Sequence, residues 1–183
     1  MSKELIENLF LPDGGPYALS SAMAARSGSG KTTLLTKLIT DSRKNPKFKE
    51  TRFIYISVKE EHLFGPEVEP TADVGTALKS MTENPITVFY PVDSEFYEDD
   101  VDSIIQGVFA LSGAKRKKKD PIPSFVIIID DANILKGFDS RGMPSPSVKK
   151  LAIAGRSKRI RGMFITHRLG NLPRLMNGNL SAL

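Results

Sequence analysis

Residues Ala25-Arg26-Ser27-Gly28-Ser29-Gly30-Lys31-Thr32 read AxxxxGKT, a phosphate-binding P-loop with Ala where the pattern usually opens on Gly. The small residues let successive backbone N–H groups turn inward around a β-phosphate. Lys31 has the reach and charge for the β/γ-phosphates, and the Thr32 hydroxyl is a ligand for Mg²⁺. Thr33 follows, and KTTLLTKLIT opens a helix whose positive N-terminal end faces the same phosphates. Ala25 fits the pattern provided its φ is negative. The chemistry implied is the binding of a nucleoside triphosphate, ATP with Mg²⁺.

A second set of groups lies at Phe125-Val126-Ile127-Ile128-Ile129-Asp130-Asp131, an apolar run that ends in two acids. Read as a Walker B strand, it gives Asp130 the Mg²⁺ water shell and Asp131 the polarisation of an attacking water. Alone, such an ending is equally a helix cap or a turn. Paired with a P-loop, it implies that both acids emerge at the carboxyl edge of a parallel sheet, beside Lys31.

The elements that must position these groups follow from apolar patterning. Strands are expected at 17–24, 52–58, 86–91, 125–129 and 163–166, as apolar runs without clean alternation, so buried on both faces. Helices are expected at 31–43, 72–82, 99–112 and 146–155. The third is the clearest, with Val101, Ile104, Ile105, Val108 and Leu111 at helical spacing. Its acidic start, Glu98-Asp99-Asp100, suits a helix N-terminus better than a metal site. The alternation predicts an α/β fold, a doubly wound, mainly parallel sheet with helices on both faces. A single domain over 17–183 is preceded by a segment, 1–16, that is a candidate docking arm.

Composition narrows the setting. The 183 residues contain no Cys and two His, which excludes a disulfide framework and argues against a zinc site. No apolar run approaches the roughly 20 residues that span a bilayer, and the N-terminus does not read as a signal peptide. A net charge of +5 and a pI near 9.4 favour a polyanionic partner. Basic residues gather at Lys115–Lys119 and at Lys149–Arg161. The first run is either a DNA contact or a solvated loop. The loop 136–147, with Lys136, Gly137, Arg141 and Gly142, follows the Asp-Asp strand and is a candidate pore loop.

The segment Gly155-Arg156-Ser157-Lys158-Arg159-Ile160-Arg161-Gly162-Met163-Phe164-Ile165-Thr166-His167-Arg168, followed by Leu172-Pro173, resembles the end of the P-loop core in FtsK–HerA-type ATPases. With Asp-Asp after the fourth strand and a short chain, the sequence is most similar to the genome-packaging ATPases of membrane-containing icosahedral viruses. That resemblance implies an additional-strand, RecA/FtsK-like core, ATP hydrolysis with Mg²⁺, and translocation of double-stranded DNA into a preformed capsid. It implies a homo-oligomeric ring, a pentamer or hexamer, acting at a packaging vertex of the virion and in the host cytoplasm. Capsid or portal-vertex proteins or a viral membrane protein are the implied partners.

In such rings an Arg from one subunit completes the neighbour's site, with Arg156, Arg159, Arg161 and Arg168 as candidates and the first two favoured. Each is otherwise part of a solvated basic face. His167 stands where the family carries a γ-phosphate-sensing Gln; it is either that sensor or a polar residue at a strand end. Asp131 stands where many members carry Glu. Other readings of the chain are a nucleoside or nucleotide kinase, a cellular HerA-like DNA-processing ATPase, and a nucleotide-binding scaffold.

Overall fold

The computed structural model describes residues 6, 7, 10, 20–58, 60, 62–92, 97–113, 123–136, 138, 143–168 and 180–182, without the side chains of 156 and 180–182. Among the described residues there are six strands: β1 (Ser20–Ala24), β2 (Thr51–Ile56), β3 (Ile86–Phe89), β4 (Ser124–Ile129), β5 (Ile160–Thr166) and β6 (Leu180–Ala182). They form one sheet in the order β3-β2-β4-β5-β1-β6, and every pairing is parallel. Four helices lie between them: α1 (Lys31–Ser42), α2 (Val74–Glu83), α3 (Tyr97–Gly113) and α4 (Pro146–Ala154).

Alternation along each strand sends its side chains to two separate cores. Phe53 and Tyr55 of β2, with Val126 and Ile128 of β4, pack with Leu35, Leu38 and Ile39 of α1. Ile54 and Ile56, with Ile127 and Ile129, pack instead with Met81, Val101, Ile104, Ile105 and Leu151 of α2, α3 and α4. Helices therefore cover both faces, which is why the strands read as unbroken apolar runs. Ile6 and Phe10, within the segment read as a docking arm, are buried in the α1-side core, and Glu7 pairs with Lys47 at 2.7 Å.

Local signals set the helix starts. The Asp73 carboxylate accepts from Thr76 N at 2.7 Å to cap α2, and Ser145 Oγ accepts from Val148 N ahead of Pro146 to cap α4. The expected strands and helices are present within a few residues. Among the described residues, the first strand begins at Ser20; positions 17–19 lie outside them.

The fifth strand departs most from expectation, beginning at Ile160 rather than 163. Arg161 and Gly162 hid its start. Arg161 is 1% exposed, and Gly162 lies where a Cβ would meet Leu151 Cγ at 2.9 Å and Ser20 Oγ at 3.1 Å. The sixth strand was not foreseen. The Lys115–Lys119 run, Gly137, Arg141, Gly142 and Leu172-Pro173 lie outside the described residues.

Candidate active site

Strand order builds the site. β5 lies between the P-loop strand β1 and the Asp-Asp strand β4, so the carboxyl ends of three adjacent strands meet at one edge. Ala25, at the end of β1, donates its N–H to Thr166 O at 3.3 Å. Its φ is not positive, as an Ala at this position requires. Gly28 and Gly30 have φ of 75° and 82°, the left-handed region, and no neighbour lies within 4 Å of where a Cβ would stand. Their need for Gly is thus conformational rather than steric. Gly30 then caps α1, and Leu34 N donates to its carbonyl at 2.8 Å.

A cavity of about 360 Å³ opens over this turn. It is lined by Ser27, Gly28, Gly30, Lys31, Thr32, Thr33, Ser57, Val58, Asp130, Asp131 and His167. Most of the residues singled out in the sequence converge here. Arg26 and Ser29 belong to the same exposed loop. The Lys31 ammonium is turned back on that loop, donating to Ala25 O at 2.7 Å and Arg26 O at 3.0 Å.

Asp130 is 8% exposed, and both its oxygens are engaged. Oδ2 accepts from Tyr55 OH at 2.5 Å and from Thr32 Oγ1 at 3.4 Å, and Oδ1 accepts from Asp131 N at 2.9 Å. Tyr97 donates its hydroxyl to the Asp130 carbonyl at 3.5 Å. Burial, and then the charges of Asp130 and Asp131, push the Tyr97 phenol well above the usual tyrosine range.

The Thr32 hydroxyl and the Asp130 carboxylate form an all-oxygen pair across the cavity floor, which suits Mg²⁺. No cluster of three or more His, Cys, Asp or Glu is present among the described residues.

Asp131 breaks from the strand with φ 48° and ψ 43°. Asp and Asn tolerate this left-handed conformation better than other side chains, a physical reason for Asp where a longer acid is common. Its Oδ1 lies 3.3 Å from His167 Nε2.

The four arginine candidates separate. Arg156 and Arg159 precede β5 and so lie at the amino edge, remote from this chain's own cavity. Arg159 is exposed in a left-handed turn, φ 57°. Arg161 is corrected: it is sealed inside the sheet, where burial lowers its pKa to about 10. A sealed guanidinium reaches no neighbouring subunit. Arg168 is exposed at the carboxyl edge, where it and Arg26 line an open groove of about 730 Å³. Lys136 does not stand free on its loop but pairs with Glu98 at 2.8 Å. Exposed His62 is not among the residues lining the cavity. Tyr55 and Tyr97 were missed, because nothing in the sequence links them to Asp130.

The fold and site define a P-loop NTPase fold of the additional-strand type, with β5 as the intervening strand. No protein-family model and no curated protein gave a significant match to the sequence. Among solved structures, the chain is similar to the genome packaging NTPase B204 from Sulfolobus turreted icosahedral virus 2 in complex with ATP-gammaS. Identity there is 15% with a TM-score of 0.59, covering 86% of this chain and 70% of that one. The sulfate complex of the same NTPase gives 17% identity and a TM-score of 0.63, over 90% of this chain and 72% of that one. Thermomonospora curvata EccC (ATPases 2 and 3) gives 14% identity and a TM-score of 0.54, over 86% of this chain and 29% of that one. At these identities the likeness defines a shared fold. The genome packaging NTPase is also the kind of protein that the sequence resemblance names.

Proposed function

We propose that this chain is an ATP-hydrolysing motor that moves double-stranded DNA, and that its task is packaging a viral genome. The observation that supports this reading is the meeting of Lys31, Thr32, Asp130, Asp131 and His167 around one cavity, in a fold shared with a genome packaging NTPase.

The P-loop N–H groups and the start of α1 bind the β-phosphate, and Lys31 exchanges two loop carbonyls for phosphate oxygens. Thr32 and Asp130 would hold Mg²⁺, which when bound would neutralise charge on the transferred phosphoryl group. Tyr55 and Asp131 N keep the Asp130 carboxylate oriented. Asp131, steadied by His167, orients and polarises the attacking water. Arg156 or Arg159 reaches a neighbour's γ-phosphate in a homo-oligomeric ring, which suits their place at the edge opposite the cavity.

DNA is held through its phosphates, so binding is sequence-independent and weakens with salt. The runs 115–119 and 136–147 are the candidate contacts. The steady-state ATPase rate, with and without double-stranded DNA, at two salt concentrations and beside Lys31→Ala, tests the proposal. DNA stimulation that disappears with Lys31→Ala and shrinks with salt is expected. ATP turnover indifferent to DNA overturns the motor reading, and phosphoryl transfer to a nucleoside would replace it with a kinase.

A further inference from the structure

Beyond the Asp-Asp strand, residues 136, 145 and 147 are fastened to successive turns of one face of α3. Glu98 Oε1 accepts from the backbone N–H of Lys136 at 2.5 Å, while its Oε2 pairs with Lys136 Nζ. Asp102, one turn on, accepts from Ser145 Oγ at 2.5 Å. Gln106, a further turn on, donates to Ser147 Oγ at 3.2 Å. Positions 98, 102 and 106 recur at i, i+4 and so stand in one row on the helix. The adjoining face of α3 is sunk in the core through Val101, Ile104, Ile105 and Val108, so the row has a rigid backing.

An acidic first turn is ordinarily explained by the helix dipole, but that account is indifferent to where the oxygens point. Here both Glu98 oxygens grip residue 136, and Asp102 lies beyond the first turn. The Lys136 side chain is 80% exposed, so its ion pair contributes little. The weight falls on the hydrogen bonds that the two carboxylates accept.

We propose that Glu98 and Asp102 are positioning residues for the hydrolytic site. They pin the two ends of the connection between Lys136 and Ser145, and thereby hold the Asp131 turn against the P-loop. The activity readout rests on the function proposed above; the exchange readout below does not.

The test pairs a double alanine variant, Glu98→Ala with Asp102→Ala, with a double amide variant, Glu98→Gln with Asp102→Asn. The amides keep the accepting carbonyls and remove the charges. The alanine pair is expected to speed amide hydrogen exchange over residues 131–136 and to lower kcat by about tenfold, with nucleotide KM within about twofold. The amide pair is expected to restore both. Exchange unchanged in the alanine pair overturns the inference. So does an amide pair that behaves like the alanine pair, since that places the effect in charge rather than in the accepted bonds. If the alanine pair fails to fold, Glu98→Ala alone, which removes both bonds to residue 136, is read by the same exchange criterion. If the unaltered chain hydrolyses no ATP, the motor reading fails while the exchange result still judges the clamp.

Discussion

Nε2 of His167 stands 3.3 Å from Oδ1 of Asp131, joining the ends of the neighbouring strands β5 and β4 at the wall of the phosphate cavity. The contact follows from strand order, because β5 lies between the P-loop strand and the Asp-Asp strand. His167→Ala is expected to lower kcat by about tenfold or more, the worth of one hydrogen bond to a charged group. His167→Gln keeps a donor and is expected to recover part of the loss. Single-turnover kinetics, with nucleotide affinity measured alongside, checks this. An equal loss in both variants would mean that donation to Asp131 is not what matters.

Arg159 lies at the opposite end of β5 from His167, so the trans-acting role proposed for it would be exerted on a site in another copy. Arg159→Ala and Lys31→Ala chains are each expected to be inactive alone. Mixed, they are expected to regain part of the ATPase rate, since an intact P-loop then faces an intact Arg. No recovery on mixing, with both chains assembled, would exclude Arg159 as the group acting in trans.

Phe10 is sealed in the α1-side core, edge-on to Phe53 with ring centroids 5.3 Å apart and to Phe48 at 6.4 Å. Phe10→Ala is expected to cost about 3–5 kcal/mol of folding stability, as for other buried aromatics. Urea denaturation measures it. A cost below about 1 kcal/mol would show that the N-terminal segment is not integral to the domain.

The Tyr97 phenol, pushed upward by burial beside Asp130 and Asp131, makes folding sensitive to alkali. Its pKa is higher folded than unfolded, so its contribution is complete below the unfolded value of about 10 and is lost as pH rises above it. Comparison with Tyr97→Phe isolates that slope from the opposite trend of Arg161, whose pKa is depressed. The unaltered protein is expected to lose more stability than Tyr97→Phe between about pH 9 and 11.

Gly155→Ala tests a steric requirement. A Cβ there would collide with the Ile160 carbonyl and stand 3.0 Å from Leu151 O, and backbone cannot yield as a side chain can. A loss of about 1–3 kcal/mol is expected by thermal or chemical unfolding.

Much of the architecture was legible because burial on both faces writes a strong signal: FVIII and RFIYISV read as parallel strands. The P-loop and Asp130-Asp131 were legible because their residue types are dictated by phosphate and cation chemistry. Arg161 misled because Arg is almost never fully buried, so a strand beginning with it reads as a loop. LSA of β6 is too short and too polar to stand out. Tyr55 and Tyr97 reach Asp130 across sequence separations of 75 and 33, and only the sheet reveals such contacts. Lys136 read as part of a candidate pore loop, and its pairing with Glu98, on a different element, left no mark in the sequence.

Lys31 already has two acceptors of its own, the carbonyls of Ala25 and Arg26. Any ligand that recruits it must displace both. Two neutral oxygens hold an ammonium less strongly than phosphate oxygens do, because bonds between charged partners are roughly twice as strong. The loop thus competes with its own ligand, and it competes best against the weakly charged. A single phosphate or a sulfate offers the lysine one cluster of oxygens, whereas a chain of phosphates offers several. A preference for a chain of phosphates over a single one would then be written into a lysine that is never idle.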